Sequence, residues 1–171
     1  MLLIFLFLGC NINPSQAQER KVKKGSLIGT TNNSAKPISR FKGWEDLGGQ
    51  MLAPLNSTRY GIGQYKKGLN HVFLLEKFVS YDETGNNPIW EILDTLTVSG
   101  VSGGKFTEAC VCMKNGKDPD ELLVGLCSAP TNAEYKRGYY SIIRVWQANR
   151  KTARFVAVSK EGIKAVIVGS D

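Results

Sequence analysis

The fold is decided by two neighbouring apolar runs and the polar turn that joins them: HVFLLEKFVSY at residues 71–81, DETGNNP at 82–88 and IWEILDTLTV at 89–98. Both runs are rich in aromatic and β-branched residues, which favour strands. The turn is built from Asp, Gly, Asn and Pro, which readily reverse the chain. We therefore predict an antiparallel hairpin. Alternation along its second strand should place Trp90, Ile92, Asp94 and Leu96 on one side and Glu91, Leu93, Thr95 and Thr97 on the other.

Further strand signals follow this hairpin towards the C-terminus. Residues 106–113 are expected to form a third strand that ends at an Asn-Gly turn. Residues 121–127 fit a fourth strand or a short helix, because the preceding Asp-Pro-Asp also suits a helix start. Residues 133–148 have apolar residues at helical spacing but are β-favouring in type, so a strand is preferred to a helix. The runs 154–159 and 163–168 predict a second hairpin.

The segment before the first hairpin is dominated by glycine. Residues 44–68 contain glycines that interrupt any long element. We expect one helical turn at residues 44–47, closed by Gly48, and irregular chain beyond it. The predicted architecture is therefore mainly β, with α+β as the alternative. It is a single domain over residues 44–171, with about seven antiparallel strands arranged as a curved sheet, a sandwich or a small barrel.

The N-terminus has the layout of an export signal. Residues 1–8 are an unbroken apolar run, and Pro14 and a Ser-Gln-Ala site ending at Ala17 follow. We predict that residues 1–17 are removed and that the protein is periplasmic or extracellular. A lipoprotein anchored at Cys10 is the alternative. The run is shorter than the roughly 20 residues that span a bilayer, so no transmembrane segment is expected in the mature chain.

Positive charge is concentrated just after this signal. The whole chain has a formal charge of +7, and residues 18–43 hold seven basic residues against one acid. Nucleic-acid-binding domains carry their basic residues on a folded face, so this distribution argues against a nucleic-acid partner. We expect residues 18–43 to form a basic, flexible arm. The arm is either a solvated spacer or a peripheral contact with an anionic membrane or another anionic envelope component.

Three cysteines remain once the signal is removed. Cys110 and Cys112 are separated by one residue, so they point to the same face of a strand and are poor partners for each other. An oxidising compartment then favours a disulfide from Cys127 to either of them, with one thiol left over. No metal or cofactor is predicted, because Cys-x-Cys is not a zinc-site spacing and His71 is the single histidine. His71 itself is expected to be exposed or at a sheet edge.

Carboxylates are the remaining groups that could carry catalysis. Asp94 is expected to be buried and paired with an arginine from a later strand, Arg144 or Arg154. Asp118 and Asp120 lie in a turn, where Asp is favoured for backbone reasons alone. These acids define the alternative function, an envelope hydrolase or transferase that uses Asp94 with Asp118 or Asp120.

Aromatic and basic residues near position 140 carry the main functional prediction. The predicted binding residues are Lys136, Arg137, Tyr139, Tyr140 and Arg144. Tyrosine and arginine often anchor recognition, because each joins a large contact surface to hydrogen-bonding groups. We therefore predict a small exported envelope protein that acts as a binding or interaction module rather than as an enzyme. Its partner would be a protein or an anionic envelope component.

Overall fold

The computed structural model of the protein describes residues 26–36, 38–99, 107–114, 119–128 and 139–166. Most residues in these ranges lie in strands, so the prediction of a mainly β fold is confirmed. The strands are β1 (Thr31–Asn33), β2 (Glu45–Leu55), β3 (Thr58–Lys67), β4 (Asn70–Tyr81), β5 (Pro88–Ser99), β6 (Thr107–Lys114), β7 (Pro119–Ser128), β8 (Tyr139–Tyr140), β9 (Ile142–Asn149), β10 (Arg154–Val158) and β11 (Ile163–Val166). A short 3₁₀ turn at Ser39–Phe41 is the helical structure in these ranges, and it is neither long nor apolar enough to cross a membrane.

The strands form two antiparallel sheets. Sheet A has the order β1-β5-β4-β3-β2, and sheet B has the order β10-β9-β7-β6-β11-β8. The predicted hairpin over residues 71–98 is confirmed as β4 and β5 at the centre of sheet A. Its turn is organised by Asp82, whose Oδ1 accepts the backbone N–H of Thr84 at 3.2 Å and of Asn87 at 3.3 Å. Asp82 therefore has the backbone role expected of a turn aspartate.

The main core lies between the two sheets. Its buried members are Leu52, Ile62, Phe73, Leu75 and Val98 from sheet A, and Val124, Leu126 and Ala148 from sheet B. Side chains alternate along a strand, so each sheet contributes one face to this core and leaves the other face to be covered in some other way. The two sheets packed on this core are consistent with the predicted alternatives of a sandwich or a curved sheet.

Residues 45–67 form a long hairpin, β2 and β3, where the sequence predicted a helical turn and irregular chain. That prediction is wrong. The two strands are joined at Asn56 and Ser57, with φ of +50° and +63°, and two consecutive left-handed residues are typical of a tight hairpin turn. Glycine allows the strands to approach closely, because a Cβ on Gly49 would lie only 2.7 Å from the carbonyl oxygen of Ile62. The glycine content of this segment predicted loops, whereas the pairing of β2 with β3 makes the segment part of a sheet.

A β-bulge at Leu93 changes the side-chain faces of β5. Asp94 and Ile92 pair with consecutive residues of β4, so Leu93 is the extra residue. Ile92 therefore packs on the outer face of sheet A, whereas Leu93 and Leu96 pack against the main core. The predicted grouping of Trp90 and Ile92 with Asp94 and Leu96 is wrong, because one inserted residue reverses the alternation.

The N-terminal strap, residues 26–36 and 38–44, covers part of the outer face of sheet A. Its strand β1 pairs with β5. Phe41 is 7% exposed and stacks on Tyr65 with ring centroids 4.3 Å apart, and Leu27 and Ile38 pack beside it. The flexible arm predicted over residues 18–43 is therefore corrected for this described part, which belongs to the folded domain. Residues 18–25 and the predicted signal at 1–17 lie outside the described residues.

Sheet B curls because Ser141 alone joins β8 to β9. Strand β8 pairs with β11, whereas β9 pairs with β7 and β10 at the other end of the sheet order. The predicted hairpin of residues 154–159 with 163–168 is therefore wrong, because β10 pairs with β9 and β11 pairs with β6 and β8. Successive Cα atoms are about 3.8 Å apart, so Tyr140 and Ile142 lie within roughly 8 Å. A flat sheet would separate β8 from β9 by roughly 19 Å. The curl encloses the face of sheet B turned away from sheet A, where Cys112, Leu123 and Val145 form a buried cluster.

Candidate binding site

The five predicted binding residues lie on or before the joined strands β8 and β9. Tyr139 and Tyr140 form β8 and pair with β11. Arg144 is exposed on β9 and borders a shallow groove. Lys136 and Arg137 lie outside the described residues. Their assignment as binding anchors stays a prediction.

A trough of about 390 Å³ lies on the outer face of sheet A, next to the N-terminal strap. It draws on all five strands of the sheet. Its lining comprises Asn32, Ser34, Ala35 and Lys36 from the strap, Asp46, Gly48, Gly49, Gln50 and Met51 from β2, Gly61, Ile62, Gly63 and Tyr65 from β3, Glu76 from β4 and Trp90 from β5. Aromatic, amide and carboxylate side chains therefore meet at one concave surface.

Missing side chains on β3 open this trough. A Cβ on Gly63 would lie 3.2 Å from Oε2 of Glu76, and a Cβ on Gly61 would lie 3.6 Å from the ring of Trp90. Ile62, between them, points into the main core. Any larger side chain at either glycine would therefore extend over Glu76 or Trp90. The glycines read in the sequence as interruptions of structure have a steric role within a strand.

Glu76 is the titratable group at the bottom of the trough. Its side chain is 7% exposed, and its Oε1 accepts a hydrogen bond from Nδ2 of Asn32 at 3.2 Å. Among the described residues, no second hydrogen bond to this carboxylate is formed, and Oε2 lies beneath Gly63. Burial raises the pKa of Glu76 to about 7; the Asn32 hydrogen bond opposes this shift and the charge of Asp46 adds to it. Glu76 therefore exchanges its proton near neutral pH.

Asp46 and Tyr65 form a second polar group beside Glu76. Asp46 precedes a bulge in β2, and its Oδ1 accepts the N–H of Gly48 at 2.8 Å. Tyr65 pairs with Asp46 across β2 and β3. Burial raises the pKa of Tyr65 to about 12, and the charges of Asp46 and Glu76 and a hydrogen bond to Asp46 add to the shift. The phenol therefore keeps its proton at neutral pH, and its hydroxyl donates a hydrogen bond to Asp46.

Asp94 is buried, as predicted, but it lies on the opposite face of sheet A from the trough. It is 8% exposed, and its Oδ2 accepts the backbone N–H of Phe155 at 2.8 Å. This bond ties β5 to β10 across the core. A backbone amide thus supplies compensation that was expected from Arg144 or Arg154. The acids proposed as catalytic partners of Asp94 cannot be placed beside it: Asp118 lies outside the described residues, as does the side chain of Asp120.

His71 is a core residue, so the prediction of an exposed or edge histidine is wrong. Its side chain is 2% exposed, and its ring stacks on Phe73 with centroids 6.3 Å apart. Nδ1 lies 3.4 Å from Nε2 of Gln64. The histidine begins an inward-facing series on a central strand, and this position buries it. Among the described residues, no three His, Cys, Asp or Glu side chains come together in a way that could hold a metal ion.

The strand register narrows the predicted disulfide. Cys112 and Cys127 are both fully buried. Cys127 lies opposite Glu108, and Cys110 lies opposite Gly125, so Cys110 is the diagonal neighbour of Cys127. Cys112 lies roughly 13 Å along the strand from the position facing Cys127, too far for a bridge. Of the two predicted partners, the register leaves Cys110. If that bridge forms and residues 1–17 are removed as predicted, alkylation of denatured, unreduced protein should modify one of the three remaining cysteines.

Comparison with known proteins does not assign a function: no protein-family model, curated protein or solved structure matches this chain. The geometry of the trough is therefore the basis for assigning a function.

Proposed function

We propose that this chain is a small exported envelope protein that acts as a binding module, and that the trough on sheet A is its ligand site. The observation that carries the proposal is Glu76. Glu76 is 7% exposed, and its side chain lines an open cavity between strap and sheet. A buried carboxylate is stabilised by partners, and a ligand entering the trough would supply one.

The form of the trough supports a small ligand or a short segment of a larger one. Ligand sites are concave, mostly apolar and equipped with few polar groups, and their volumes begin at roughly 300 Å³. The trough has an apolar wall from Trp90 and polar contacts from Asn32, Asp46 and Glu76. Its lining includes residues of both the strap and the sheet. The strap would then complete the site as well as stabilise the fold.

The export part of the proposal is supported by the N-terminal sequence. The apolar run, Pro14 and the small-residue site at Ala17 predict removal of residues 1–17, with a lipoprotein at Cys10 as the alternative. N-terminal sequencing of the purified protein distinguishes them. A chain that starts at Gln18 supports export, and a chain that retains Met1 would contradict it.

A second candidate function follows from the proton equilibrium of Glu76. A carboxyl group whose pKa is near 7 suits general acid or base catalysis. In that case the protein is an envelope hydrolase or transferase, and the acting carboxylates are Glu76 and Asp46 rather than Asp94. Turnover of chromogenic esters or glycosides that disappears in Glu76→Gln would favour this enzyme.

Amide chemical-shift mapping tests the binding proposal directly. A fragment collection containing amines, carboxylates and saccharides is titrated into labelled protein. We expect at least one class to shift the amides of Gly61, Gly63 and Glu76. Shifts confined to Tyr140 and Arg144 would move the site to β8 and β9 and overturn the assignment to the trough. Gly63→Leu, which fills the trough, should abolish the response if the variant melts like the parent protein.

A further inference from the structure

We propose that the trough selects ligands bearing an ammonium or guanidinium group, which binds between Glu76 and Asp46. This inference deepens the proposed function and rests on it. The features that would recognise this class of ligand are two carboxylates, a Glu76 oxygen that borders the cavity, and an apolar wall.

The charge of the trough contrasts with the charge of the chain. The whole chain is basic at +7, yet the lining includes the acids Asp46 and Glu76. The titratable and charged groups that face Glu76 are Asp46 on β2, Tyr65 on β3 and Lys36 on the strap. Lys36 and Asp46 are both exposed, so solvent screens both charges. Asp46 still contributes to the raised pKa of Glu76, whereas Lys36 does not, so the field at the buried carboxylate is negative.

Hydrogen-bond satisfaction favours a cation over a neutral ligand. The Oε1 atom of Glu76 has Asn32 as a donor, whereas Oε2 borders the cavity beneath Gly63. An N–H of an ammonium or guanidinium group would donate to Oε2 and also interact with the charge of Asp46. Charge-assisted hydrogen bonds are about twice as strong as neutral ones. A hydroxyl group could donate to Oε2 but carries no positive charge to balance the ionised carboxylate.

The aromatic wall is suited to the same class of ligand. Trp90 lines the trough, and its ring is held in place by edge-to-face contact with Phe78, with centroids 5.7 Å apart. Aliphatic carbons next to a charged nitrogen can pack on such a surface while the nitrogen reaches the carboxylates. Gly61 leaves the ring edge uncovered on the trough side.

Cation binding should be coupled to release of a proton from Glu76. An ammonium group favours the ionised carboxylate, so a ligand that binds the ionised form competes with the proton. With the pKa of Glu76 at about 7, the affinity of the wild-type protein should rise about tenfold between pH 6 and pH 8. Tyr65, whose pKa is raised to about 12, stays neutral over this interval.

Matched probes test the inference on the full-length mature protein. The probes are 1,5-diaminopentane, agmatine and the neutral isostere 1,5-pentanediol, each followed through the amides of Gly61 and Gly63. We expect the two cations to bind and the diol to bind at least tenfold more weakly. Glu76→Gln should weaken the binding of diaminopentane at least tenfold. Glu91→Gln, on the same sheet but paired with Lys77 at 2.8 Å, should leave affinity unchanged.

The outcomes separate the ligand class from the proposed function. Equal binding of diol and diamine, or wild-type affinity that does not change between pH 6 and pH 8, overturns the cation inference. This pH titration needs no variant, so it decides even if Glu76→Gln fails to fold. Saccharide or carboxylate fragments that shift the trough amides while amines do not would overturn the cation class and keep the binding module. A trough that responds to none of the probes and fragments contradicts both.

Discussion

Asp94 and Glu76 are buried carboxylates on adjacent strands of sheet A, but they face opposite sides of it. Their exposures are nearly equal, at 8% and 7%. Asp94 receives a backbone N–H at 2.8 Å from sheet B, whereas Glu76 receives a side-chain amide at 3.2 Å and borders a cavity. Burial alone therefore does not distinguish a structural acid from an acid proposed to bind a ligand. What distinguishes them is which donors satisfy the oxygens and whether there is space for another.

The two faces of sheet A account for this difference. The inner face is covered by a second sheet, and apolar side chains from both sheets fill the space. Among the described residues, the outer face is covered by the N-terminal strap, which packs at Phe41 and leaves the trough beside it. A partly covered face can hold a titratable group next to solvent.

The largest expected effect tests whether the strap belongs to the outer face. Phe41→Ala should destabilise the protein by about 3 kcal/mol, because it removes a buried ring stacked on Tyr65. Chemical denaturation measures the change. Leu47→Ala, at a side chain that is 42% exposed, is the control and should change stability by less than about 0.5 kcal/mol. A Phe41 variant as stable as the parent would show that the strap contributes little to folding.

Removing the charge at Glu76 should stabilise the protein at high pH. The carboxyl ionises near pH 4.5 when unfolded and near 7 when folded. The unfolded chain therefore releases its proton first, and stability falls as pH rises from about 4.5 to about 7. Glu76→Gln should recover roughly 3 kcal/mol at pH 8 and nothing at pH 4. Melting curves at both pH values measure this, and an equal shift at each would contradict the assigned pKa.

Removing the carboxylate of Asp94 should lower the stability of the protein, whereas Glu76→Gln should raise it at high pH. Asp94→Ala should destabilise the protein by about 2 kcal/mol, because the N–H of Phe155 loses its acceptor inside the sandwich. Asp94→Asn keeps an acceptor oxygen and should cost less. Urea denaturation of the two variants gives the comparison. If Asp94→Ala stabilised the protein as Glu76→Gln does, the contrast between the two acids would fail.

The smallest effect concerns a partly exposed acid on the same strand as Asp94. Glu91 pairs with Lys77 at 2.8 Å, but both side chains are about one-third exposed. Solvent screens such pairs, so Glu91→Gln should change stability by less than about 0.5 kcal/mol. The loss should shrink further in high salt. A loss above 1 kcal/mol would show that this surface pair is coupled to the folded core.

Sequence reasoning succeeded where structure is local. The β4–β5 hairpin was predicted because both strands and their turn chemistry are contiguous, and the burial of Asp94 followed from its place in an apolar strand. The β2–β3 hairpin was missed because its glycines have meaning only opposite their partners, such as Gly49 opposite Gly63. Similarly, the bulge at Leu93 leaves the composition of β5 unchanged while reversing its faces.

The trough could not be predicted because its residues come from distant parts of the chain. Asn32 lies 44 residues before Glu76, in a segment whose charge suggested a free arm. One signal was present: Glu76 is a lone acid inside the apolar run 71–81. An acid in such a run is a candidate for burial, as Asp94 was. What the Glu76 side chain faces depends on Gly63 of the neighbouring strand β3, and this contact is set by the sheet rather than by local sequence.

The place of β11 in sheet B has a consequence for the order of folding. Residues 163–166 lie between β6 and β8, and they pair with both. The curl therefore cannot close until the chain has been made as far as Val166, more than fifty residues after β6 begins at Thr107. Pairings over such sequence separations form slowly. An incomplete chain would leave β6 and β8 without the strand that joins them, so sheet B should be the last part of the molecule to become protected from proteases.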